Sequence, residues 1–157
     1  MKKFIWLSLL CICATAISVA QPRAVGLRLG TSTEASYQHS FGESNYLQAD
    51  AGFSYISGIQ AVATYNWIVA RPDWTDYGTW EWFVGGGAGV GISSTFSNDT
   101  YFYLGLVGNG GLAFNFDFPL QVSVDIRPMI GPKINDNGVS LNYNGLFETA
   151  LSVRYKF

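Results

Sequence analysis

His39 is the single histidine of the chain; Ser40 adjoins it, and the carboxylates Glu34 and Glu43 lie nearby on either side. These are the parts of a hydrolytic set, with serine as nucleophile, histidine as base and a carboxylate to orient the ring. Such a set works only where the base touches the nucleophile, and adjacent side chains on a strand point to opposite faces. His39 therefore reads better as an interfacial histidine, and no catalytic residue is assigned. A metal site is poorly supplied, with one histidine and with both cysteines, Cys11 and Cys13, inside an N-terminal apolar run. The glycine-rich stretch "FVGGGAGVGI" (83–92) lacks G-x-G-x-x-G spacing and a following G-K-[ST], and nothing helical comes after it. It is not read as a phosphate cradle, and no cofactor is expected.

What remains is a pattern of elements. Beyond residue 22 the chain breaks into alternating segments at 24–30, 35–41, 46–56, 59–69, 80–92, 101–116, 120–131 and 141–157, joined by turn-rich connections. Period-two alternation and hairpin-length joints predict eight antiparallel strands in up-and-down order. One face gathers Val25, Leu27, Leu29, Phe53, Trp67, Trp82, Leu104, Val124, Ile126, Leu151, Val153, Tyr155 and Phe157, with Phe147 further up the last segment. The other gathers every charge within these segments: Arg28, Asp50, Glu81, Asp125, Arg127, Glu148, Arg154 and Lys156.

Sorting by face does not say which face is inside. A soluble barrel turns its apolar face inward, whereas a membrane barrel does the reverse. Aromatics crowd the segment ends, the segments are long enough for the ~9–11 residues that cross a bilayer, and the charges balance at four of each sign. These features favour a charged lumen and an apolar exterior. An eight-stranded barrel is just wide enough for its side chains to fill, and ionised groups there must pair. Arg28, Asp50, Glu81, Asp125, Arg127, Glu148 and Arg154 are expected to form a structural lumen network, with Asp125 and Arg127 joining Glu148 and Arg154. Gly85, Gly87, Gly89 and Gly91 would leave inward room for Tyr101, Tyr103 and arginine side chains. Pro128 cannot donate to a ladder, which predicts a bulge or break near 127–129.

The N-terminus carries a different message. Lys2 and Lys3 precede the apolar run "FIWLSLLCICATAISVA", and Ser18-Val19-Ala20 offers small residues for cleavage before Gln21. Residues 1–20 read as a cleavable signal peptide and 21–157 as one barrel domain. Leu10 and Ile12 beside the cysteines are not the small residues a lipid-attachment signal needs. Without Lys2 and Lys3, seven bases face eleven acids, which is no nucleic-acid footprint. Asn98-Asp99-Thr100 matches a glycosylation sequon, taken as chance.

"AVGLRLGTST" at the start, "QVSVDIRPMIG" before the end and "LSVRYKF" at the end together resemble the small eight-stranded outer-membrane β-barrels of Gram-negative bacteria, of the OmpX and OmpA-barrel type. The resemblance covers the whole chain after the leader. It implies a transmembrane barrel with both termini periplasmic, turns at 42–45, 70–79 and 117–119 on that side, and outer loops at 31–34, 57–58, 93–100 and 132–140. Leu151, Val153, Tyr155 and Phe157 would be the signal read by the outer-membrane insertion machinery. Trp67, Trp74, Trp80 and Trp82 would form an interfacial belt near the periplasmic rim. Partners implied are outer-membrane lipid and lipopolysaccharide, for a monomer with a structural or surface-interaction role and no enzymatic one. Some barrels of this kind are lipid A-modifying enzymes, which makes lipid modification the alternative, and a narrow channel is a third.

Overall fold

The structure, a computed structural model, describes residues 23–55, 58–94, 100–135, 138–142 and 148–157. The expected leader 1–20, the sequon asparagine Asn98 and Phe147 lie outside the described residues. All regular structure described is strand: β1 (Arg23–Gly30), β2 (Ser32–Ser40), β3 (Asn45–Ser54), β4 (Gly58–Ala70), β5 (Gly78–Ser94), β6 (Thr100–Phe116), β7 (Leu120–Arg127), β8 (Met129–Asn135), β9 (Gly138–Asn142) and β10 (Glu148–Lys156). Every pairing is antiparallel. The sheet closes because β5 pairs with β6 and because β10 lies between β7 and β1. Backbone bonds between Arg23 and Phe157, at 3.0 and 2.8 Å, finish the seam.

The ten strands make eight staves. β7 and β8 are two halves of one stave, interrupted at Pro128 as the missing amide requires. β6 pairs with β7 up to Gly110↔Ile126 and resumes on β8 at Val107↔Met129 in the same register, so the ladder is broken without a bulge. Gly108 still donates to the Pro128 carbonyl at 2.9 Å. β9 and β10 both belong to the final return of the chain.

Register fixes the barrel's shape. From Val25 the paired positions run through Tyr37, Ala49, Ala63, Ala88 and Leu106 to Ile130. In the other direction they run through Tyr155 to Leu120, so the two paths meet the seventh stave ten residues apart. For eight staves that stagger corresponds to a strand tilt of about 40°.

Several connections differ from the expectation. The reading of 31–34 as an outer loop fails: only Thr31 lies between β1 and β2, and Ser32, Thr33 and Glu34 are strand. Likewise 132–140 is largely the β8–β9 hairpin, with Ile134 opposite Val139. Ser93, Ser94 and Thr100 continue β5 and β6 rather than forming a loop. The long connection remains, trimmed to residues 71–77, and the turn after β2 occupies 41–44, where Gly42 takes φ 117°.

Alternation is inverted relative to a water-soluble protein. Val25, Leu27, Leu29, Val124, Ile126, Leu151 and Val153 are between 43% and 57% exposed, whereas Arg28, Arg127 and Arg154 are at most 1% exposed. Inside, Tyr46, Phe83 and Ala113 pack with Ile68 toward the end that holds the termini, and Val62, Tyr101, Tyr103, Val107 and Met129 pack toward the other. The ionised cluster around Arg28 and Arg127 lies between these two apolar layers, and a second polar set lies on the termini side of the Tyr46 layer.

Candidate functional site

The lumen cluster is built from strand parity. β1 turns Arg28 inward, β2 turns Ser32, Glu34 and Ser36, β3 turns Gln48, Asp50 and Ser54, β4 turns Gln60, β7 turns Asp125 and Arg127, and β10 turns Glu148, Ser152 and Arg154. Each of these residues is nine-tenths or more buried. Charges so placed are tolerable only when paired and hydrogen-bonded.

Arg127 is the hub. Its Nη2 donates to Glu34 Oε1 at 2.6 Å and to Glu148 Oε2 at 3.1 Å, and its Nη1 to Asp50 Oδ2 at 3.0 Å. Arg28 sits beside it, bonded to Asp125 Oδ1 at 2.6 Å, to Glu34 Oε2 at 3.1 Å and to Ser32 Oγ at 2.8 Å. Neutral groups complete the set. Gln60 Nε2 donates to Glu34 at 2.6 Å and to Glu148, Ser54 donates to Glu148 at 2.8 Å, and Gln48 donates to Asp50 at 2.7 Å. Tyr103 reaches down from the apolar layer to donate to Gln60 Oε1 at 3.0 Å.

Five of the seven expected network residues therefore meet: Arg28, Asp50, Asp125, Arg127 and Glu148. Arg127 joins Glu148 as expected, whereas Asp125 is held by Arg28 rather than by Arg154. Among the described residues Arg154 joins no carboxylate directly. Its guanidinium donates to Ser36 and Ser123 at 2.9 Å and to Gln121 at 3.3 Å. Glu81 stands apart near the termini end, paired with Arg71 at 2.9 Å and bonded to Asn115 at 2.8 Å. The central member that the sequence reading misses is Glu34, fully inside and bound by both Arg28 and Arg127.

The inward glycines make room, though not for arginines. A Cβ on Gly91 would collide with the Tyr103 hydroxyl, and one on Gly85 with the Asn66 side chain. One on Gly89 would press on Val62 and Met129 at 3.0 and 3.1 Å. Tyr101 is buried beside Tyr103 and takes Lys133 over its ring at 4.7 Å.

At the termini end the lumen opens as a vestibule of about 650 Å³, floored by Tyr46 and Ile68 and walled by Gln38, Glu81, Asn115, Gln121 and Lys156. His39 is half-buried with its ring edge-on to Phe41 at 4.9 Å, while Ser40 lines the vestibule, so the two point apart. Around the outside of this end runs an aromatic girdle: Tyr65 with Trp67 at 5.0 Å, Trp74 with Trp80 at 5.5 Å, Trp80 with Phe114 at 4.7 Å, and Tyr155 with Phe157 at 6.4 Å. Trp82 faces Trp74 at 6.4 Å. The four tryptophans of the expected belt thus share one rim.

The architecture is that of a closed eight-stave antiparallel β-barrel with a side-chain-filled, charge-paired lumen. No protein-family model matches the chain, and neither a curated protein nor a solved structure matches it.

Proposed function

We propose that the chain is an integral outer-membrane β-barrel protein of the small eight-stranded, OmpX and OmpA-barrel type, with a structural or surface-interaction role in the Gram-negative envelope and no catalytic one. The observation that carries this reading is the inverted polarity: leucine, valine and isoleucine cover the outside while ionised arginines fill the inside. In water that arrangement wastes apolar burial; in a bilayer it gives lipid-facing surface outside and satisfied charge inside. On β5 the outward series from Trp80 to Ile92 spans about 30 Å along the barrel axis at this tilt, comparable with a hydrocarbon core of about 30 Å. The aromatic girdle then lies at one interface, as in outer-membrane barrels.

In this reading both termini are periplasmic, the protein is a monomer in contact with outer-membrane lipid and lipopolysaccharide, and Leu151, Val153, Tyr155 and Phe157 serve the insertion machinery. All four are exposed on the outer face of β10 or just beyond it. The layered lumen supports a plugged barrel over a channel. Cell fractionation tests the proposal. Recovery with outer membranes, together with a gel mobility that changes on boiling, is the expected result; a soluble, detergent-free folded protein would overturn it.

A further inference from the structure

The vestibule at the termini end is a blind cup. Its floor is Tyr46 and Ile68, and Phe83 packs edge-on to Tyr46 at 6.0 Å with Ala113 in the same cluster, which closes the cup toward the ionised cluster. Its volume of about 650 Å³ falls within the roughly 300–1,000 Å³ of small-molecule sites.

Hydrogen bonds hold the wall in place. Arg71 pairs with Glu81 Oε1 at 2.9 Å and also donates to the Glu43 carbonyl, which ties the connection 71–77 to the turn 41–44. Asn115 donates to Glu81 Oε2 at 2.8 Å, and its own oxygen accepts from Gln121 at 3.1 Å and from Lys156 Nζ at 3.3 Å. Such a wall does not have to be ordered when a ligand binds.

That arrangement leaves a positive charge over. Three cations, Arg23, Arg71 and Lys156, line the cup against two acids, Glu43 and Glu81. Both oxygens of Glu81 are engaged, by Arg71 and by Asn115, and Glu43 is exposed on the rim turn. Lys156 is half-buried, and the neutral Asn115 is its one hydrogen-bond partner among the described residues. An ammonium has three donors, so two of them are left for a ligand.

We infer that the vestibule is a binding site for a small organic anion, a carboxylate carried on an apolar body. The carboxylate takes the open donors of Lys156, and the body lies on Tyr46 and Ile68. A neutral ligand would leave the ammonium without a counter-ion, and a bare inorganic anion would leave the apolar floor uncovered. A cation is opposed by Lys156 itself, since Glu81 is already paired. The cup is inside the barrel, so the site is the same whether lipid or water surrounds the outside.

Amide NMR of the folded protein in a neutral maltoside detergent, titrated with phenylacetate, tests the site. Saturable shifts at Lys156, Tyr46 and Ile68 are expected, with Tyr103, beyond the floor, unmoved. Phenylacetamide lacks the charge and should bind about tenfold more weakly or worse, as loss of a hydrogen bond between charged groups implies. Inorganic phosphate lacks the apolar body and should also bind more weakly than phenylacetate. Lys156→Gln should weaken phenylacetate by a similar factor, and Lys156→Arg should retain it. The absence of a saturable shift, equal binding of acid and amide, or wild-type affinity in Lys156→Gln would overturn the inference. So would phosphate binding as tightly as phenylacetate, which would make this a site for a bare anion. Should Lys156→Gln not fold, the three probes on the wild-type chain still decide the question.

Discussion

Glu34 and Arg127, far apart in the chain, meet at 2.6 Å in the middle of the barrel with both side chains at most 1% exposed. Arg127 also holds Asp50 and Glu148, so its loss leaves three buried carboxylates short of a partner. Arg127→Leu should destabilise the folded barrel by about 3–5 kcal/mol, the range for breaking a buried ion pair by removing one side. Urea titration of the refolded protein, followed by tryptophan fluorescence, measures it. A change under about 1 kcal/mol would mean that the carboxylates find water, contrary to the packed lumen. Glu34→Gln should be milder than Arg127→Leu, because the amide oxygen still accepts from one of its donors, Arg127 keeps Asp50 and Glu148, and Arg28 keeps Asp125.

The inward glycines make a graded prediction. A Cβ at Gly87 would run into the Ala63 carbonyl, which belongs to the neighbouring strand's backbone and cannot step aside. At Gly89 it would meet side chains only, Val62 Cγ2 at 3.0 Å and the adaptable Met129 thioether at 3.1 Å. Gly87→Ala should therefore cost about 1–3 kcal/mol, as overpacking does, and Gly89→Ala clearly less. Equal costs in the same urea titration would contradict this contrast between fixed backbone and movable side chains.

How much of this is legible in the sequence follows from what parity can say. Alternation gives the face of each residue, and it places Arg28, Asp50, Asp125, Arg127 and Glu148 inside correctly. It gives no height along the axis, which depends on the stagger of ten residues around the barrel, so it groups Glu81 with charges that residue never approaches. Glu34 escapes notice because "TSTE" looks like a turn, four polar residues after a glycine. Yet Ser32 and Glu34 continue the inward parity of Ser36 and Gln38, with Thr33 and Ala35 outward, and that extension is the available signal. Which arginine meets which carboxylate is a matter of rotamers across the lumen, on which spacing along one strand is silent.

The lipid-modifying alternative makes a separate demand on His39. On β2 the histidine ring lies against Phe41 while Ser40 turns into the vestibule, so a proton cannot pass directly between them. His39→Ala should leave the lipid A profile of expressing cells unchanged in mass spectrometry. A lipid A species that appears with the wild-type chain and vanishes with His39→Ala would reverse the non-enzymatic reading.

Val124 offers the sharpest test of where the barrel lives. It is 57% exposed on the outer face of β7, opposite Leu151, and two residues from the outward Val122 and Ile126. If that face meets hydrocarbon, Val124→Arg must bring a guanidinium into the bilayer or bend it to the interface, at a cost of about 2–4 kcal/mol near the midplane. If the face meets water, the same substitution at an exposed position should fall within about 0.5 kcal/mol of neutral. The measurement is reversible urea unfolding in lipid vesicles, paired with Val124→Ala to subtract the loss of the valine side chain. Arg127→Leu perturbs the lumen in either solvent, whereas Val124→Arg is penalised only in lipid. A barrel sensitive to the first substitution and indifferent to the second would be a charge-filled barrel in water, and the membrane proposal would then have to be abandoned.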